Sequence, residues 1–252
     1  KVIKCSIRCR MNQVWEMPLV VAWGRYLKLA RYWMVALTIS TLASCGGGGG
    51  GAVSTNDYPL RQAWVNYMSM SATQRFAVSG TINGVAVSGS GTNTAGSLVA
   101  ATFEGKSALK KTTVITGTLN VAGLSGPYGS SEDAYLDSNY MPLGLWGGDY
   151  VVVTSAATIP QAVKVNDTGA LYTANRYPTS QKAYLTGSLT VSYAVQPDAA
   201  DTALLKVIAT AKTTAGSTYS TDILTFRMTS SGALTLLSEQ YQDSVGILNI
   251  TY

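Results

Sequence analysis

The chain has 252 residues, which bounds it to one domain, or two at most. Of its 18 basic and 13 acidic residues, seven basic and one acidic precede Cys45, leaving eleven against twelve from there on. A near-neutral body excludes a broad nucleic-acid footprint, and the absence of histidine excludes His-based triads, histidine zinc sites and histidine general bases.

The sequence opens with Lys1, and Met11, Met17 and Met34 are candidate starts, of which Met17 fits best. Arg25, Lys28 and Arg31 precede an uncharged run over residues 32–43. That order is an export signal, and the run is shorter than the roughly 20 apolar residues of a spanning helix. The run ends in Leu42-Ala43-Ser44-Cys45: a large aliphatic, two small residues, then cysteine. This tetrapeptide resembles the bacterial lipobox. The resemblance implies cleavage before Cys45, a diacylglyceryl group on its sulfur, and fatty acylation of the new amine, palmitate being the usual chain. Gly46 stands where lipoproteins kept at the inner membrane commonly carry Asp, so the resemblance also implies the outer membrane, on its periplasmic face or at the cell surface. Residues 1–44 are therefore read as signal peptide with possible upstream read-through. Residues 45–57 are the lipidated cysteine and its Gly-rich tether, and 58–252 a single β-rich domain. A tether of about twelve residues reaches roughly 20 Å. Cys5 and Cys9 fall before the cut, so the mature chain forms no internal disulfide and relies on its core.

The first body element is a helix. Asn56 or Asp57 is expected to cap it, Pro59 suits its first turn, and Leu60, Trp64 and Tyr67 or Met68 share one face. After Thr73 the period becomes two, and Thr, Val, Ser, Gly and Tyr dominate. Candidate strands are 75–82, 85–92, 98–104, 112–121, 150–154, 162–165, 170–174, 183–195, 203–212, 218–228, 233–242 and 246–252. The clearest alternations are Leu185, Gly187, Leu189, Val191, Tyr193, Val195, and Leu224, Phe226, Met228. Asn83-Gly84 signals a hairpin, and turns are expected at Asp167-Thr168-Gly169 and Ser230-Ser231-Gly232. Lys110-Lys111 reads as a charged strand edge. A weak match between residues 78–82 and 185–189 raises an internal duplication. The expected fold is mainly β: a single antiparallel sheet, strongly curved or barrel-like, covered by one short N-terminal helix. The strands lack a lipid-facing aliphatic row, so an ordinary final strand is favoured over a membrane-barrel signal.

Residues 123–148 are the longest stretch without strand character, and long ordered loops are often functional. The stretch carries Glu132, Asp133, Tyr135, Asp137, Tyr140 and Trp146, with Asp149 at its exit. With Trp64, these are the candidate ligand-binding residues. Acids beside aromatics suit a sugar or a Ca²⁺ ion held through oxygens, and the competing reading is a cover packed on the sheet. Glu132 or Asp133 with Asp137 forms a candidate hydrolase pair. No nucleophile motif, phosphate loop, metal site or cofactor motif is present. As a whole the chain resembles β-rich lipoproteins of Gram-negative bacteria. The expected function is a non-enzymatic binding or structural module. Its partners are the membrane, through the lipid, and a lipid or glycan ligand, with no nucleic acid. A helix before a curved antiparallel sheet is also similar to the half-barrel of periplasmic lipoprotein carriers. That alternative implies an apolar cavity between sheet and helix with Trp64 at its mouth.

Overall fold

The computed structural model describes residues 54–252. Cys45, the proposed signal segment and most of the tether lie outside the described residues.

Helix α1 (Leu60–Ser69) comes first and buries Leu60, Ala63 and Trp64, the face that its spacing predicts. Neither Asn56 nor Asp57 caps it. Asn56 donates to the Ala200 carbonyl, Asp57 pairs loosely with Lys164, and Pro59 occupies the cap position without a side-chain bond. The first turn is satisfied instead by a neighbouring loop, the Arg61 amide donating to the Pro160 carbonyl at 3.1 Å.

Thirteen strands follow: β1 (Ala72–Ile82), β2 (Val85–Ala95), β3 (Val99–Phe103), β4 (Lys106–Val121), β5 (Leu124–Leu136), β6 (Pro142–Trp146), β7 (Tyr150–Ala156), β8 (Thr168–Tyr177), β9 (Gly187–Ala199), β10 (Thr202–Thr213), β11 (Thr218–Thr229), β12 (Leu234–Asp243) and β13 (Gly246–Thr251). All pairings are antiparallel. β2 and β3 lie end to end along β4, Ala95 opposite Thr113 and Val99 opposite Lys110. β13 returns to β1, with Ala77 opposite Thr251 and Ile82 opposite Gly246. The sheet is thus a closed twelve-strand meander, and the expected curved or barrel-like sheet with one helix is what forms.

Alternation sorts the wall into two faces. Inward rows such as Leu189, Val191, Tyr193 and Val195, or Leu224, Phe226 and Met228, are buried. Outward rows are rich in Thr and Ser, and the hydroxyls of Thr73 and Thr94, and of Thr92 and Thr116, meet across strands at 3.1 Å. The outer face of these strands is therefore hydrogen-bonding rather than the aliphatic band of a membrane barrel. The interior holds two apolar clusters. The larger joins α1 to β7–β12, and the smaller joins Phe76, Val78, Val87, Tyr241 and Leu248.

Five expectations change. Residues 123–148 are not a loop, because β5 and β6 occupy most of them. Gly, Pro and acidic residues hide β5 from propensity, and β4 imposes the ladder. Pro127 is tolerated because β6 pairs only with the last part of β5, leaving Pro127 on an edge. Residues 162–165 form one isolated bridge, Tyr58 with Val163, rather than a strand. The turn expected at 167–169 falls earlier, with Asn166 at φ 77° and β8 already begun at Thr168. Leu185 is exposed and precedes its strand. The 78–82 and 185–189 segments sit on β1 and β9, seven strands apart around the barrel and running oppositely. A duplicated half would place them six apart and parallel, so the likeness is one of local geometry.

Candidate binding cavity in the barrel lumen

Helix α1 closes one end of the barrel. Its contacts go to connections at that end: the Trp64 indole donates to the Tyr140 carbonyl at 2.8 Å, and Asn66 reaches the Gly232 carbonyl. Inside, the Tyr67 ring meets Phe226 edge-on at 5.0 Å. The helix C-terminus points into the lumen, where the Lys111 ammonium donates to the carbonyls of Tyr67, Met68 and Met70 at 3.1, 3.0 and 2.7 Å. A buried cation thus caps the negative end of the helix.

Between α1 and the wall remains a cavity of about 140 Å³. Its lining is mostly apolar and aromatic, including Trp64, Tyr172, Val191, Val207 and Phe226, with Glu132, Asn93, Gln74 and Lys111 as polar members. The short strand β13 spans only 77–82 of β1 and 238–242 of β12. No ladder joins the starts of β1 and β12, and the cavity residues Ala72, Gln74 and Leu234 lie there. Met70, 45% exposed, borders this opening. Trp64 is a buried wall residue rather than the expected mouth residue.

The electrostatics centre on two carboxyls. Glu132 faces inward from β5 and lines the cavity. It has no hydrogen-bond or ion-pair partner among the described residues. Burial first, then the charges of Glu239 and Asp133, pushes its pKa up to about 8. Glu239, inward on β12, is raised by burial and partly restrained by the Tyr252 hydroxyl, which donates to it at 3.3 Å. Asn93 in turn donates to Tyr252 at 3.3 Å. Burial pushes Tyr67 up to about 12, and Tyr172 and Tyr252 rise for the same cause, reinforced by the two glutamates.

No protein family, curated protein or solved structure matches the chain. The site therefore stands on its own geometry.

Of the eight predicted ligand-binding residues, Trp64, Glu132 and Tyr135 border the cavity. The others do not join them. Asp133 faces outward, pairing with Lys110 at 3.2 Å and accepting from the Thr112 hydroxyl. Asp137 accepts from the Asn139 and Met141 amides and shapes the β5–β6 turn. Tyr140 contributes its carbonyl to Trp64. Trp146 is 51% exposed and meets Tyr150 edge-on, and Asp149 is held by the buried Arg176 at 2.7 Å. The candidate hydrolase pair is not assembled, because Glu132 and Asp133 point to opposite faces and Asp137 is committed to its turn. Lys111, Glu239, Tyr67 and Tyr172 are the members that sequence reasoning missed. Inward strand parity could have signalled Glu239 and Tyr172, the helical spacing already put Tyr67 on the apolar face of α1, and Lys111 reverses its expected place at an edge.

Proposed function

We propose that the protein is a membrane-anchored binding module whose barrel lumen takes one small, mostly apolar molecule. Acylation at Cys45 would hold it at the outer membrane, on the periplasmic face or at the cell surface, with residues 46–57 as slack. One observation carries the reading: a mostly apolar cavity, open on one side between β1 and β12, with a single unpartnered carboxyl, Glu132, turned into it. At about 140 Å³ it matches cavities of about 150 Å³ that take benzene. The fitting ligand is therefore of single-ring size. A long acyl chain does not fit, which weighs against a lipid carrier, and the dispersed acids weigh against a hydrolase.

The test uses the full-length protein and benzyl alcohol. At ten times a millimolar Kd, the probe adds about 1.4 kcal/mol of stability. The melting temperature should rise by about 3–5 °C. Val207→Phe, which fills the cavity from β10, should abolish the rise. No shift in the wild type, or an equal shift in the variant, overturns the reading. The anchor is tested separately: Cys45→Ala should keep the fold and leave the membrane fraction, and persistent membrane association would refute lipidation.

A further inference from the structure

Glu132 is turned into this cavity, and among the described lining residues the single cation is already engaged. The only ammonium lining the cavity, Lys111, spends its three N–H bonds on the end of α1. That leaves Glu132 lining the cavity, while Glu239, inward on β12 but outside the cavity lining, adds a negative charge that disfavours ionisation of Glu132. The surrounding groups are aromatic: Trp64, Tyr67, Tyr172 and Phe226 line the same space. Aromatic faces and carboxylates both attract a positive charge, and a dry setting strengthens the attraction.

We propose that Glu132 and the aromatic walls around it make the lumen a site for a small organic amine in its ammonium form. This rests on the lumen being a binding site and names the ligand's chemical class. The ammonium sits at the Glu132 carboxyl, and an apolar body of one ring or a short chain fills the rest. A metal ion fits less well, since no cluster of three or more acid, cysteine or histidine side chains occurs among the described residues. An anion fits less well again, because it would face two acids and a lysine already occupied.

The empty site keeps Glu132 protonated near neutrality, so an entering ammonium displaces that proton. The ionisable groups around it are Glu239 from β12, Tyr67 from α1, Tyr172 from β8, Tyr252 beyond β13 and Lys111 from β4, with Asp133 behind the wall. The tyrosines stay neutral, so the glutamates are the acids that respond between pH 6 and 8, while burial lowers the Lys111 ammonium from its usual value and its three carbonyl bonds hold it at the end of α1.

The experiment is titration calorimetry on the full-length protein with benzylamine, benzyl alcohol and benzoate as probes. Benzylamine is expected to bind at least tenfold more tightly than the isosteric alcohol, and benzoate more weakly than either. Close to one proton should be released at pH 7, measured by comparing buffers of different ionisation enthalpy. Benzylamine affinity should rise roughly fifty-fold from pH 6 to pH 8, as a group of pKa about 8 gives up its proton, while the alcohol's stays flat. Glu132→Gln should erase the preference and the proton release yet still bind the alcohol, and Glu239→Gln should reduce both. Equal binding of amine and alcohol by the wild type, or a preference that survives in the double variant, overturns the amine assignment and leaves the cavity reading intact. Failure of all three probes overturns both. If a variant does not fold, the wild-type ratio and proton count decide alone.

Discussion

Lys110 and Lys111 are neighbours in sequence and stand on opposite sides of the barrel wall. Lys110 meets Asp133 outside, a half-buried surface pair worth on the order of 1 kcal/mol, while Lys111 caps α1 inside. Glu132 and Asp133 split the same way. The sequence shows each charged couple plainly, but not which member points inward, because a slip of one residue exchanges the faces. That is why Glu132 was identifiable as a candidate and its role was not. Its environment has a consequence for stability. A carboxyl whose folded pKa is raised keeps its proton after the unfolded chain has lost one. Its favourable contribution is complete below about pH 4.5 and disappears as pH rises toward about 8. Glu239 acts in the same direction. Asp198 and Glu104 act oppositely. Arg227 and Thr202 hold the first low, and Lys182 and Tyr150 hold the second, so both contribute above their unfolded values and fade only below about pH 4. The domain should therefore be most stable near pH 5. A change from 4.5 to about 8 corresponds to at most about 5 kcal/mol, and local relaxation brings the expected loss by pH 8 to about 2–4 kcal/mol. Thermal melts should fall by about 5–10 °C between pH 5 and pH 8, and Glu132→Gln should flatten most of that slope. A melting temperature that climbs from pH 5 to pH 8 would contradict the buried-acid description.

Elements differ in how openly the sequence announced them. Strands with strict alternation, such as β9 and β11, were legible because one face is apolar and the other is not. The β1–β2 hairpin was legible from Asn83-Gly84, whose φ values of 49° and 76° suit only a few residue types. β5 was illegible, since its neighbours rather than its composition make it a strand. The docking of the β3–β4 hairpin was also hidden. Phe103 stacks on Tyr135 at 4.5 Å and lies 5.3 Å from Tyr150, and Glu104 accepts from the Tyr150 hydroxyl at 2.6 Å and pairs with Lys182. Gly144 makes room: a Cβ there would lie 2.3 Å from the Phe103 ring. The hairpin tip is thus bound to β5–β7 through a third apolar cluster, of which Tyr135 also borders the cavity. Phe103→Ala should cost about 3–5 kcal/mol, concentrated where the ring is lost. Hydrogen exchange should accelerate over residues 99–110 while amides of β10 and β11 keep their protection. Uniform loss of protection would mean that the hairpin and the barrel are a single cooperative unit.

At the scale of the whole molecule, nearly every strand pairs with its chain neighbour, and such local ladders form readily. The ladder that closes the ring is different, because β1 and β13 meet across most of the described chain. Periodicity could predict a curved sheet and about twelve strands, but no local pattern encodes which two edges join. Closure removes both edges of a long sheet and so suppresses edge-to-edge association. It depends on a six-residue strand whose inward residue Leu248 packs with Phe76, Val78, Val87 and Tyr241, and whose chain then reaches Tyr252, bonded to Glu239 and Asn93. The two faces of β13 separate closure from mere strand propensity. Leu248→Asp places an unpaired carboxyl in the smaller cluster and should cost more than about 4 kcal/mol. Asn249→Lys, on the outer face opposite Ser79 and Gln240, should change stability by less than about 0.5 kcal/mol. Denaturant melts followed by size-exclusion chromatography check both. The Leu248 variant should show a lowered midpoint together with concentration-dependent oligomers, as the freed edges of β1 and β12 find partners in other copies. A strictly monomeric Leu248 variant with an unchanged midpoint would mean that the β1–β13 ladder contributes nothing to holding the barrel shut.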